Sequence, residues 1–344
     1  MNIGIGLDQL SKRIIEDRAL SKDFIGSTSL MTFTPEGKLV LQNGHTTTLG
    51  VRSIAHEQIA DRTGIPQKYY QRMQNEAPAL LAANVNGWFT KEPKKQLVRT
   101  INGEARAFLS NGYRPLDNYD VATHLIPKLM DLKMDIVSSQ ITESRLYIQA
   151  RNSRVQGEVR VGDVVQSGVT ISNSEVGRGS LAITELDYRL WCLNGAVGED
   201  IVRKSHIGGV RKGDVTFAQE VDYSAGTNRK IDAAFWAAAR ESIDQALSPE
   251  RFEKRLERMK RAAGVVIEKV QPAVETIVEL FKLSKPEGEG ILEAFARGGD
   301  ITQWGLSNAV TAQAHDHADY DRAFEFERLG SRILELPATT FDQN

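Results

Sequence analysis

The residues of this chain best suited to chemistry are its cations. Between Arg145 and Lys212 the sequence carries ten Lys/Arg against seven acids. The surplus is modest, and its placement says more than its size. Most of these side chains fall at expected strand ends and glycine loops, beside Asn152, Asn173, Asn194, Ser205 and His206. Arginine and lysine next to exposed backbone N–H groups at a sheet edge can hold a phosphate backbone. Arg151, Arg154, Arg160, Arg178, Arg189, Arg203, Lys204, His206, Arg211 and Lys212 therefore form the candidate nucleic-acid-binding set. Its densest part closes the stretch 179–213, where Arg203-Lys204 and Arg211-Lys212 bracket two glycines. Scattered surface charge is the plainer reading of the same residues.

Other chemistries have weaker footings. His315-Asp316-His317-Ala318-Asp319 is the most metal-like run. Two histidines two apart do not share a helix face, where shared coordination needs i,i+3 or i,i+4. A cation there would need a further ligand such as Asp321, and a polar connection between helices is the simpler expectation. Cys192 lies in the apolar run Leu190-Trp191-Cys192-Leu193, which suits a small buried residue better than a nucleophile. As the only cysteine it excludes an intramolecular disulfide and fits a reducing cytoplasm. No GxxxxGK[ST], GxSxG, HExxH or CxxC occurs, and Gly4-Ile5-Gly6 lacks the third glycine of a dinucleotide loop. No catalytic residue, metal or cofactor is assigned. An enzyme would require groups that only the fold brings together.

The elements that must position these residues read as follows. Residues 1–25 suit one amphipathic helix; because that segment carries acids, it suits neither a secretory nor a transit peptide. Phe33 to Leu41 reads as a hairpin. Helices over 53–63 and 66–75 meet at Gly64 with helix-turn-helix spacing. Gln67, Lys68, Gln71 and Arg72 would face a groove in that case, but a packed αα-corner is favoured. The stretch 84–93 is turn-rich, with Trp88-Phe89 anchoring a loop. Strands over 97–102 and 105–110 join at Asn102-Gly103, a strong hairpin signal. A helix over 119–132 contains Pro127, which predicts a kink or two shorter helices. Strands over 134–140, 145–150, 163–172 and 181–191 follow, the last delivering a basic loop.

Beyond Gly213 the pattern is helical: 231–247, a helix from Pro249, then 291–297, 303–315 and 320–334, with 285–290 as a loop. The helix from Pro249 carries Arg251, Lys254, Arg255, Arg258, Lys260 and Arg261 among glutamates. A solvated face laced with ion pairs is favoured there over a phosphate-tracking helix. The expected fold is α+β, a curved mainly antiparallel sheet with packed helices, followed by a helical C-terminal region. The expected divisions are 1–93, 94–215 and 216–344. A formal net charge of −2 over 344 residues gives no global attraction for polyanions, so any such partner needs a local patch. No apolar run reaches the ~18 residues of a membrane span. A cytoplasmic location, in a bacterial host, is expected.

Three stretches occur together: Asn111-Gly112-Tyr113-Arg114-Pro115-Leu116-Asp117-Asn118, Tyr188-Arg189-Leu190-Trp191-Cys192-Leu193-Asn194-Gly195, and Gln303-Trp304-Gly305-Leu306-Ser307-Asn308-Ala309-Val310-Thr311. With the Ile65-Pro66 corner, they resemble the phage/plasmid-like protein family catalogued as domain of unknown function 932, over roughly residues 50–320. The familiar second motif has a small polar residue before its asparagine; Leu193 here implies a more buried turn. The resemblance implies a mobile-element setting and supplies no reaction and no catalytic residues. At fold level only, the element order looks like the core of Rad52-type single-strand annealing proteins.

The leading expectation is a DNA-metabolism protein that binds single-stranded DNA without strong sequence preference, for annealing or recombination. Its expected partners are single-stranded DNA and further copies of the chain in a ring or filament, with no membrane. The alternative is a protein that binds a host factor in anti-defence or regulation, marked by a large exposed apolar patch. A metal-dependent nuclease would need acids gathered around His315 or His317.

Overall fold

The computed structural model describes residues 4–190, 194–204, 225–315 and 317–341. The fold is α+β, and its mostly antiparallel strands divide between two sheets rather than forming one. The first half runs α1 (Leu7–Leu20), β1 (Ser21–Ser27), β2 (Met31–Phe33), β3 (Leu39–Asn43), β4 (His45–Val51), α2 (Ser53–Thr63), α3 (Gln67–Glu76), α4 (Pro78–Lys91), β5 (Lys95–Ile101) and β6 (Glu104–Ser110). These strands make a sheet in the order β1-β5-β6-β4-β3-β2, parallel only where β4 meets β6. Strands from both sides of residue 94 thus share one sheet. Asn102 and Gly103 both take positive φ, 50° and 77°, the turn that an Asn-Gly hairpin requires.

Two expectations change here. Residues 21–27 leave the first helix and pair along β5, from Ser21 opposite Ile101 to Ser27 opposite Lys95. The turn-rich stretch 84–93 is helical through Lys91, because Leu81, Val85 and Phe89 recur at helical spacing and are buried. Phe89 stacks on Phe108 of β6 with ring centroids 5.7 Å apart. Packing against the sheet overrides the poor helix propensity of Asn84, Asn86 and Gly87.

The second sheet is built from β7 (Asp135–Ile141), β8 (Leu146–Glu158), β9 (Val164–Asn173), β10 (Leu181–Arg189) and β11 (Asn194–Lys204), in the order β11-β10-β9-β8-β7, after α5 (Asn118–Asp131). α5 continues through Pro127 as a single helix. The C-terminal region holds α6 (Ala225–Ala246), α7 (Pro249–Gly264), α8 (Val270–Phe281), α9 (Lys285–Gly298), α10 (Gln303–Ala312) and α11 (Tyr320–Ile333). One face of the sheet (Ile148, Ala150, Val169, Ile171, Leu181, Ile183) packs beneath Leu10 and Ile14 of α1, Leu125 and Leu129 of α5, and Trp236 and Ile243 of α6. Each fully buried large side chain there contributes about 1.5–3 kcal/mol. The alternate residues Tyr147, Leu186 and Val197 meet Tyr320 and Phe324 of α11. Cover on both faces explains why β9 and β10 read as nearly continuous buried runs.

The expected loop 285–290 is the first turn and a half of α9. Ser284 and Glu287 form a reciprocal capping box around Pro286. Its glycines serve close approach rather than a turn. A Cβ at Gly288 would strike Val278 of α8, and one at Gly290 would strike Gln313. Among the described residues, no helix is long and apolar enough to cross a membrane.

Candidate nucleic-acid interface

The five described arginines of the expected set that lie before β11 are engaged within the fold. Arg151 on β8 pairs with Asp135 of β7 at 3.4 Å. Arg154 donates to the Leu132 carbonyl at the end of α5. Arg160 pairs with Asp300 at 3.1 Å and also donates to the Ala263 carbonyl. Arg178 pairs with Glu57 of α2. Arg189 makes a two-point bond to Asp163, at 2.5 and 2.8 Å, while the Trp304 indole N–H donates to the same carboxylate at 2.8 Å. These arginines tie neighbouring elements together, and four of the five already have a carboxylate partner.

Arg203 and Lys204 close β11, the sheet's edge strand, instead of opening a loop. Register shifts between β10 and β11, together with Gly195, Gly198 and the Glu199-Asp200 pair, break the period-two pattern that would have revealed this strand. His206, Arg211, Lys212 and Cys192 lie outside the described residues.

Four cations of α7 line one continuous surface. The helix's apolar side, Phe252, Leu256, Met259 and Ala262, joins Val165 of β9 and Trp304 of α10 in a core. Flanking that side, Arg251, Lys254, Arg258 and Arg261 follow one another at intervals of three, four and three residues. This spacing makes a stripe about 15 Å long on one helix flank. The stripe lines two adjoining clefts, of about 240 and 380 Å³, that share Arg258, Leu334 and Glu335. The opposite wall is the C-terminal end of α11 and the residues just after it.

Arg255 anchors the stripe from below. It is buried, with Nε 3.0 Å from both Asp187 oxygens and Nη2 donating to Ser167 at 3.2 Å. Its Nη1 stands 2.9 Å from a Glu185 oxygen but is not aligned for a hydrogen bond. Glu185 and Asp187 continue by period two the sheet face of Leu181 and Ile183, so β10 itself presents them to α7. Burial pushes the Asp187 carboxyl above its ordinary pKa, opposed by the Arg255 charge. Breaking such a buried pair from one side costs about 3–5 kcal/mol. The stripe therefore sits on a fixed foundation.

Toward solvent the charge balance is positive. With Arg255 and Asp187 paired below, the four stripe cations face Glu185 and Glu335 across the two clefts. Arg251 shares Glu185 at 2.7 Å and Arg258 meets Glu335 at 2.8 Å. Lys254 pairs within the helix to Glu250 at 2.8 Å, and Arg261 forms no ion pair among the described residues. The sequence locates every one of these cations. The partners Glu185, Asp187 and Glu335 carry no local signal, because only the fold brings them to α7.

The remaining expectations resolve locally. At the α2–α3 corner Gln67 donates to the Glu57 carbonyl and to Asp61, and Arg72 pairs with Glu76, as suits a packed corner. Asp321, the extra ligand imagined for His315 and His317, instead accepts from Thr142 and Ser144, at 3.0 and 2.5 Å. His317 stacks on Phe326 at 4.7 Å. Among the described residues, no group of three or more His, Cys, Asp or Glu is placed to hold a metal. No protein-family model, no curated protein and no solved structure matches this chain.

Proposed function

We propose that this chain binds single-stranded DNA without strong sequence preference, holding backbone phosphates along Arg251, Lys254, Arg258 and Arg261. The observation that carries the reading is the continuous cation stripe along two adjoining clefts. A flexible single strand can follow such a stripe with its phosphates inward. Phosphates held this way leave the bases outward for pairing, which is what annealing of complementary strands in phage or plasmid DNA metabolism requires. Several copies in a ring or filament would lengthen the track. The reading asks for no cofactor.

Fluorescence anisotropy with a labelled oligothymidylate tests it. Micromolar or tighter binding that weakens steeply as salt rises is expected. Binding insensitive to salt, or none at micromolar protein, would remove the reading.

A further inference from the structure

At the end of α4 two neighbouring aromatic side chains diverge. Phe89 is buried against the first sheet, whereas Trp88 turns outward and stays 37% exposed. The turn that follows is fixed by Thr28, itself buried. Thr28 Oγ1 donates to the Phe89 carbonyl at 3.0 Å and accepts from the Lys94 N–H at 3.2 Å. The Thr28 N–H donates to the Lys94 carbonyl at 3.0 Å. One residue thus holds both ends of the turn and sets Lys94 beside the end of α4. Arg62, in the last turn of α2, lines a small notch with Trp88, Thr28, Phe89 and Glu92.

Three cations flank this indole without counter-ions. Arg62, Lys91 and Lys94 form no ion pair among the described residues, and both lysines are exposed. Glu92 lines the notch and acts on Arg62 by charge, without an ion-pair contact. Lys91 Nζ lies over the Trp88 ring, 5.0 Å from its centroid. Gly87, just before Trp88, is a helical glycine that packing does not require, since a Cβ there would meet nothing within 4 Å. Glycine weakens a helix, and here its bare backbone leaves the approach to the indole open.

An exposed aromatic face among cations that lack carboxylate partners calls for a ligand that is both flat and anionic. We propose that Trp88 stacks an unpaired base of a single strand whose phosphates meet Lys91 and Lys94, with Arg62 adding positive charge beside them. This rests on the reading that the chain binds single-stranded DNA, and it adds a base contact to the phosphate track on α7. A stacked base holds an indole more strongly than an exposed ammonium does, so the base displaces Lys91 from the ring and frees it for a phosphate. A lipid surface fits the patch less well. A helix lying in a membrane surface presents a row of large apolar side chains. The exposed positions of α4 around Trp88 are Ala83, Gly87, Thr90 and Lys91, and the next large apolar one, Leu80, lies about 12 Å back along the helix.

The test titrates the full chain with oligothymidylate and with an abasic strand of the same length. Oligothymidylate should quench part of the wild-type tryptophan emission, the abasic strand should not, and Trp88→Phe should abolish that quench. By anisotropy, Trp88→Ala should weaken oligothymidylate binding at least about fivefold, the lower bound for one stacked base, at an unchanged salt slope. It should leave abasic-strand binding unchanged, and Trp88→Phe should keep most of the wild-type affinity. Absence of a Trp88-dependent quench overturns the proposal, and that comparison decides if Trp88→Ala does not fold. Wild-type affinity in folded Trp88→Ala, or an equal loss for both strands, also overturns it. So does Trp88-dependent binding to vesicles of phosphatidylserine and phosphatidylcholine with oligothymidylate binding unchanged, which would give the patch to a lipid surface. If Lys254→Glu/Arg261→Glu binds like wild type while Trp88→Ala does not, the α7 track fails and this proposal stands. The reverse pattern removes this proposal alone, and no binding by the wild type removes both.

Discussion

Glu327 shows what a single buried acid does to this fold. It sits on α11 against the second sheet, and Gln149 Nε2 donates to it at 2.6 Å. Burial lifts its carboxyl from 4.5 to about 7, with the Gln149 bond opposing the shift. The folded form therefore holds a proton that the unfolded chain releases, and stability is lost as pH rises from about 4.5 to 7. A shift of that size corresponds to about 3 kcal/mol. Glu327→Gln should flatten much of the slope and raise the melting temperature at pH 8 more than at pH 5, as calorimetry across pH would read. Equal effects at the two pH values would contradict the assignment. Asp163 is a staple between elements, accepting from the Arg189 fork and the Trp304 N–H. Asp163→Ala leaves the buried Trp304 N–H without this acceptor and should cost about 1–3 kcal/mol. A denaturant midpoint close to wild type would show that this staple is dispensable.

At the scale of elements, α7 carries the functional account. Glu335, just past α11, competes for Arg258 at 2.8 Å and adds negative charge to both clefts. Glu335→Gln should tighten oligonucleotide binding about two- to fivefold, the effect of removing one screened charge near a phosphate track. Weaker binding by that variant would mean the strand does not pass Arg258. The legibility of the elements follows from where their signals reside. Strands β5 and β6 are plain in the sequence because Asn102-Gly103 fixes the turn chemically. Helices α4 and α9 are hidden because Asn84, Asn86, Gly288 and Gly290 read as loop residues. In the fold, Asn86 bonds the Phe33 backbone, and the glycines admit neighbouring side chains. Strand β11 is hidden by its bulged register with β10. In each case a tertiary partner, invisible locally, reverses the local preference.

For the whole molecule, the α+β class and the helical C-terminal region follow from periodicity alone, whereas the division into two sheets does not. That division depends on which strands pair: β1 finds β5 across more than sixty residues of chain, a choice no local pattern encodes. The same limit applies to the candidate site. The sequence marks Arg151, Arg160, Arg178 and Arg189 as available cations, and the fold gives each a carboxylate. It also marks the α7 cations as a solvated face, and the fold sets them along a pair of clefts. Counting charge locates cations, but only the positions of the acids show which cations face outward. The central claim, that α7 is the phosphate track, is tested most directly by the salt dependence of oligothymidylate binding in the wild type and in Lys254→Glu/Arg261→Glu. Both positions are exposed, so the variant should keep its melting temperature. Loss of two phosphate contacts should lower the slope of log K against log salt by about 1.4 and the affinity by at least about tenfold at low salt. Wild-type slope and affinity in the folded variant would contradict the account.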